Sequence, residues 1–120
     1  MYEFTLTNSV NDAVQRLCRQ TGWRKVRRVM VKIGGMRKVN PELMAFIFAA
    51  VSKDTPAEGA LLSVMLMPVT VKCHSCGKIS AREDSDFVCP LCGSRNVQIL
   101  SGLELNIEAL EVESNTLNYD

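Results

Sequence analysis

Four of the five cysteines in this 120-residue chain fall between Cys73 and Cys92, in "CHSCGKISAREDSDFVCPLC", as two C-x-x-C pairs with twelve residues between them. A C-x-x-C turn presents two sulfurs to one side of an ion, and a glycine directly after it lets the backbone curl away. Gly77 and Gly93 occupy those positions, in "CHSCG" and "CPLCG". Two such knuckles on a short hairpin predict a four-cysteine zinc ribbon, with Cys73, Cys76, Cys89 and Cys92 holding one structural Zn2+. Two disulfides are the alternative, disfavoured by the reducing compartment argued below. A ribbon of about 25 residues buries little, so the metal must supply much of its folding free energy. A shell of four sulfurs leaves no open position for water or substrate, which argues against hydrolysis at the metal. His74, the one histidine, sits inside the first knuckle. It is expected to be partly exposed or to donate a hydrogen bond to the cluster from outside the ligand set, since four sulfurs suffice; a place among the ligands, as the nearest replacement for a displaced thiolate, is the sharper alternative.

The length allows one modest core plus a small appended module. The longest apolar run, Leu43 to Val51, falls well short of the roughly 18–20 residues of a membrane span, so no membrane partner is expected. The opening "MYEFTLTNSVNDAVQ" lacks the basic-then-apolar layout of a secretory signal, which predicts a cytoplasmic protein with reduced thiols. Formal charge is +1, and four thiolates around one Zn2+ would bring it to about −1. That balance does not support a general grip on phosphates, and the basic "RKVRRVMVK" reads as a solvated face or a protected edge.

Val10, Ala13, Val14, Leu17 and Cys18 recur at helical spacing, with Thr7 or Asn8 as the expected cap and Gly22 as the stop. Cys18 then reads as a small core residue rather than a reactive thiol. From Val26 to Ile33 the period drops to two: Val29, Val31 and Ile33 face one way, Arg28, Met30 and Lys32 the other, and Gly34 and Gly35 end the strand. "NPELMAFIFAAVSK" predicts a second helix capped by Asn40, with Pro41 and Glu42 in its first turn. Leu43, Phe46, Ile47, Ala50 and Val51 form its expected apolar face. Met44 and Phe48 lie off that face, as further core or as a partner or dimer surface, and core is the expectation. After the turn-rich "TPAEGA", "LLSVMLM" reads as a central strand ending at Pro68. "LELNIEALEV" alternates Leu103, Leu105, Ile107 and Ala109 against Glu104, Asn106 and Glu108, as a half-exposed last strand. "SNTLNYD" shows neither period.

The chain therefore reads as α/β: two helices on a small mixed sheet, with an inserted zinc-ribbon module of four cysteine ligands. Residues 1–70, completed by the strand at 98–113, form the α/β domain, and residues 71–97 the ribbon.

With "MYEF", "VRRVMVKIGG", "VNPELMAFIF", "DTPAEGALL", "CHSCG", "CPLCGSRN" and "SGLELNIEALEVE" in this order, the chain resembles the HypA/HybF family of hydrogenase maturation proteins, which act as nickel metallochaperones. The resemblance covers about 110 residues. It implies a nickel domain of two helices and a small sheet, a structural zinc domain, and two partners: a HypB-type GTPase and the large-subunit precursor of a [NiFe] hydrogenase. Association of two copies as a homodimer is a further expectation. The resemblance also implies a transient Ni2+ site at the N-terminus, formed in relatives by Met-His-Glu through the terminal amine, two backbone nitrogens and the imidazole. Such a planar nitrogen set suits Ni2+. Here the nickel-site candidates are Met1, Tyr2 and Glu3, so the imidazole is missing. A phenol lies too far out on a rigid ring to close the same chelate, and it stays protonated at neutral pH. Gly35 likewise lacks the acidic side chain often found there in relatives. Three readings of position 2 stay open: a site completed by Glu3, water or His74; reduced nickel handling; or a deliberate substitution.

A zinc-ribbon nucleic-acid-binding or regulatory module is the alternative function. Between the knuckles "KISAREDSDFV" offers two basic residues, three acidic ones and one aromatic, Phe87, for stacking. An enzyme is the weakest class. One histidine inside a knuckle cannot build a Ser-His-acid set, no P-loop pattern occurs, and Glu83, Asp84 and Asp86 read as a solvated hairpin.

Overall fold

In the computed structural model, residues 2–82 and 88–113 are described; Met1, residues 83–87, with Glu83, Asp84, Asp86 and Phe87 of the expected hairpin among them, and the tail "SNTLNYD" lie outside them. The elements run α1 (Tyr2–Thr21), β1 (Val26–Gly34), a 3-10 turn (Gly35–Arg37), α2 (Pro41–Val51), β2 (Leu61–Met67), β3 (Val69–Cys73), β4 (Ile79–Arg82), β5 (Val97–Ser101) and β6 (Leu105–Val112). They form two three-stranded sheets, of order β2-β1-β6 and β4-β3-β5. Two compact units result: among the described residues, 2–31, 39–64 and 106–113 form one, and 32–38, 65–82 and 88–105 the other.

The first sheet is mixed. The Gly34 N–H donates to Glu104 O and the Glu113 N–H to Lys25 O, so β1 and β6 run antiparallel. The end of β1 lies beside the end of β2, with the Gly35 Cβ position 3.1 Å from Met67 O. Those two strands are therefore parallel, and α2 supplies the crossover that a parallel pair requires. The period-two reading of β1 holds: Val29, Val31 and Ile33 are fully buried.

In the first unit α1 and α2 pack together. Leu6, Val10, Val14 and Cys18 recur every four residues along α1, and all are buried. Asn11 ties the helices, its side-chain amide donating to Val51 O at 3.1 Å. Gly22 stops α1 at φ +83°, with its N–H on Cys18 O at 2.8 Å. Asn40 caps α2, its Oδ1 accepting the Leu43 N–H at 3.1 Å.

Three sequence expectations need correction. Helix α1 begins at Tyr2, so Thr7 and Asn8 lie inside it and cap nothing. Thr7 is fully buried, and its hydroxyl donates back to Glu3 O at 2.6 Å. In α2 the buried face is Met44, Ile47 and Phe48, whereas Phe46 is 75% exposed. A helix apolar nearly all round gives no periodic signal to choose its inward face. Finally, β2 is an edge strand rather than a central one, and Leu61, Met65 and Leu66 are exposed on it. A short run apolar on both faces does not distinguish centre from edge.

The second unit has a thin interior of Ile33, Val69, Val71, Cys73 and Cys89. Strand β3 is its middle, antiparallel to β4 through Val71↔Ser80 and to β5 through Val71↔Ile99, with a register shift beside Thr70. Gly34 and Gly102 meet backbone to backbone: a Cβ on Gly34 would fall on the Gly102 carbonyl and the Leu103 nitrogen.

Urea unfolding tests both the helix face and this close approach. Phe48→Ala should cost about 3–5 kcal/mol, while Phe46→Ala, two residues away, should stay within about 0.5 kcal/mol. Gly34→Ala should cost at least about 2 kcal/mol, because the atoms it meets are main chain and cannot rotate aside.

Candidate metal centre

Strand β3 delivers Cys73 at its last residue, and the chain turns at once. The turn closes through Gly77 N–H to Cys73 O at 2.8 Å and Cys73 N–H to Lys78 O at 2.9 Å. The second knuckle repeats this almost atom for atom, with Gly93 N–H to Cys89 O at 2.9 Å and Cys89 N–H to Ser94 O at 2.8 Å. Gly77 and Gly93 have φ of +77° and +78°. That left-handed conformation is strained for any residue with a Cβ, which is the physical content of the Gly after each C-x-x-C.

The four sulfurs of Cys73, Cys76, Cys89 and Cys92 lie within 4.8 Å of one another. Two pairs across the knuckles, Cys73–Cys92 and Cys76–Cys89, are 3.6 Å and 3.8 Å apart. A disulfide needs about 2.05 Å. A tetrahedron with metal–sulfur bonds of about 2.3 Å has edges of about 3.8 Å, so the spacing fits a single Zn2+. Backbone amides already point at the sulfurs: Ser75 and Cys76 N–H groups reach Cys73 Sγ at 3.3 Å each, and the Leu91 N–H reaches Cys89 Sγ at 3.4 Å.

Those amides set the order of ionisation. The Cys76 N–H pulls Cys73 down, burial opposes it, and the Ser75 N–H helps to bring the thiol to about 6. The Cys92 and Leu91 amides likewise lower Cys89. For Cys92 the Ser94 N–H acts to lower the value, but the Cys73 sulfur, burial and the other two sulfurs together push it up to about 12. Without a cation, four adjoining thiols cannot all ionise; a divalent cation removes that conflict and cross-links the two knuckles. Cys18, the fifth, is buried on α1, and burial raises its thiol, as befits an inert core residue.

His74 is exposed and lies outside the four-sulfur group among the described residues. Its backbone N–H donates to Asn96 O at 2.9 Å. Near the N-terminus, Tyr2 is 46% exposed at the start of α1. The Glu3 carboxylate accepts the Asn40 N–H at 3.1 Å, at the start of α2. No signal in the sequence joins Glu3 to Asn40. Nor does one reveal a link between the knuckles outside the sulfurs: the Ser75 and Ser94 hydroxyls are 2.9 Å apart, and Ser94 Oγ also accepts the Asn96 N–H at 3.1 Å.

One zinc per chain should be found by metal analysis. Stripping it with a strong chelator should abolish amide-exchange protection at Thr70, Val71 and Lys72, because the small interior of this unit cannot replace the cross-link. Ser75→Ala should speed zinc transfer to a chelator roughly 2–5-fold, the effect of one partly exposed hydrogen bond, and Ser75→Thr should restore the parent rate.

Compared with known proteins, residues 1–112 match the family model described as "Hydrogenase/urease nickel incorporation, metallochaperone, hypA". The hydrogenase maturation factor HypA of Acidithiobacillus ferrooxidans is 38% identical over 114 residues, covering 94% of this chain and all of that protein. The HypA of Aquifex aeolicus is 34% identical over 113 residues, covering 94% and 98%. Among solved structures, the solution structure of the Ni metallochaperone HypA from Helicobacter pylori superposes with a TM-score of 0.67 at 23% identity, over 96% of this chain and all of that one. That likeness concerns the fold, while the sequence matches carry the kinship. On these grounds the chain belongs to the HypA family of nickel-incorporation metallochaperones.

Proposed function

We propose that this protein is a nickel carrier for [NiFe]-hydrogenase maturation that works without catalysis, with zinc as a permanent structural ion and nickel as cargo. The observation that carries the reading is the family match across residues 1–112, which takes in both the N-terminal helix and the cysteine unit. Its partners are a HypB-type GTPase and the large-subunit precursor of a [NiFe] hydrogenase, and it works in the cytoplasm. No helix of the described residues is long and apolar enough to cross a membrane.

The cargo ligands proposed are the terminal amine of Met1 and the backbone nitrogens of Tyr2 and Glu3. The Glu3 amide lies in the first turn of α1, where it has no intrahelical carbonyl to serve, so binding metal there breaks no ladder bond. The Glu3 carboxylate can join only by leaving the Asn40 N–H. With Tyr2 in the place of an imidazole, three nitrogens remain, and nickel is held more weakly and exchanged more readily. His74 takes no part in the zinc shell in this reading, which supposes four sulfur ligands: Cys73, Cys76, Cys89 and Cys92. The nucleic-acid alternative is not favoured, because the family match spans nearly the whole chain and not the ribbon alone.

Calorimetric Ni2+ titration of the zinc-loaded protein with a free N-terminus should show weak binding near one ion per chain. Tyr2→His should tighten it at least about 10-fold, the effect of one added planar nitrogen. Acetylating the terminal amine should abolish it, and nickel binding that survives acetylation would overturn the N-terminal assignment. In pull-downs, failure to retain either partner would overturn the maturation role.

A further inference from the structure

The basic stretch "RKVRRVMVK" divides in the structure. Arg27 and Arg28 pair with Glu113 and Glu111, the second pair at 3.7 Å. Arg24 does not: its guanidinium, like those of Arg16 and Arg19 on α1, has no hydrogen bond or ion pair among the described residues. Arg16 and Arg19 stand three apart on the helix and are surface neighbours. Arg24 follows the helix stop at Gly22 by two residues. All three are exposed, and so is Lys25, whose Nζ donates to Glu58 O at 2.7 Å. The acids of this corner are Asp12, about one helical turn before Arg16, and Glu58, whose carboxylate accepts the Asp54 N–H at 2.8 Å. A net positive charge remains.

Arg19 and Trp23 also line a cleft of about 170 Å3, together with Gln15, Cys18 and Pro56. That volume falls below the roughly 300–1,000 Å3 of a small-molecule pocket and suits one large side chain. The walls are set in advance. The Thr21 hydroxyl donates to Leu17 O at 2.8 Å and accepts the Trp23 N–H at 3.4 Å, while the Gly22 N–H sits on Cys18 O. On the other wall, Pro56 O accepts the Val26 N–H at 2.8 Å. An aromatic fixed in this way has little freedom left to lose on binding. Packing within its own chain accounts for the covered part of Trp23, but not for the 37% left in water beside Arg19 and Arg24. Trp and Arg are among the residues that most often anchor an interface.

We propose that this corner of the first unit is a docking site for an acidic, extended segment of a partner protein. One apolar side chain of that segment enters the cleft against Trp23, and its carboxylates meet Arg16, Arg19 and Arg24. Charge selects the occupant, since a guanidinium fork takes a carboxylate in bidentate fashion. A nucleic-acid strand fits less well: a few surplus cations neutralise few phosphates, and a ring with more than half of its surface covered is more wall than stacking platform. The site stands at the opposite end of α1 from Tyr2, about 30 Å away along the helix. A partner held there leaves the N-terminus open, and the docking does not depend on the nickel ligands.

Trp23 is the chain's one tryptophan, so its own emission reports the site. The probe is a capped pentapeptide of one leucine flanked by two glutamates on each side. Titrated into the full zinc-loaded chain, it should give a saturable emission change with a dissociation constant of roughly 0.1–1 mM. Binding should weaken about 3–10-fold when salt rises from about 50 mM to about 300 mM. Glycine in place of the peptide's leucine should cost at least about 5-fold. Arg19→Glu and Arg24→Glu should each weaken binding about 3–10-fold without changing zinc content or circular dichroism. Arg95→Glu, in the other unit, and acetylation of the terminal amine should leave it within about 2-fold of the parent. No saturable change, an affinity indifferent to the leucine or to both arginine reversals, or tighter binding of a short single-stranded oligothymidylate would overturn the proposal. So would a gain of more than about 10-fold on removing residues 114–120, which would make this chain's own tail the occupant.

Discussion

Four sulfur atoms within one ion's reach are the constraint on which the second unit rests. The β4-β3-β5 sheet has short strands, and the unit built on it has only a handful of buried side chains, two of which are themselves cysteines. Burial on that scale cannot offset the entropy of ordering the strands. The two turns are instead built in advance as ligand holders: each aims backbone N–H groups at its first sulfur and each uses a left-handed glycine to leave. Those amides favour thiolates, and the crowding that holds a proton on Cys92 shows why thiolates alone would not suffice. The metal is the missing counter-charge. Its binding energy, about 10–16 kcal/mol for structural zinc in small modules, is of the size that a hydrophobic core would otherwise have to provide.

Local rules are legible in the sequence wherever one residue's backbone chemistry decides the outcome. Gly77 and Gly93 announce their positive φ, Asn40 followed by Pro41 announces a helix start, Gly22 announces a stop, and the alternation of Val29, Val31 and Ile33 gives the buried side of β1. Even the direction of the metal chemistry is readable from spacing, because the C-x-x-C turn fixes which atoms converge. What stays hidden depends on tertiary neighbours. Helix α1 begins five residues earlier than its suggested cap because its first turn is tied down by Glu3, whose carboxylate meets the start of α2. The inward face of α2 cannot be chosen from a pattern that is apolar nearly all round. Strand β2 reads as central because nothing local marks it as an edge. Strands β3 and β5 are hidden by the cysteines beside them, although Val69, Val71 and Cys73 do alternate into the interior.

The family kinship gives these local features a common purpose, and the division between two metals follows from ligand chemistry. A shell closed by four thiolates exchanges its ion slowly and admits no further ligand, which suits a structural cross-link and disqualifies it as a carrier site. A cargo ion must be taken up and surrendered, so its site should be exposed, incomplete and made of groups that cost the fold little to lend. First-turn amides of a helix meet that description, since helix geometry leaves them without intrahelical partners. At the N-terminus of α1 the exposed Tyr2 ring adds bulk without adding a planar nitrogen donor. On the proposed reading, a carrier so altered gives up affinity and gains ease of release.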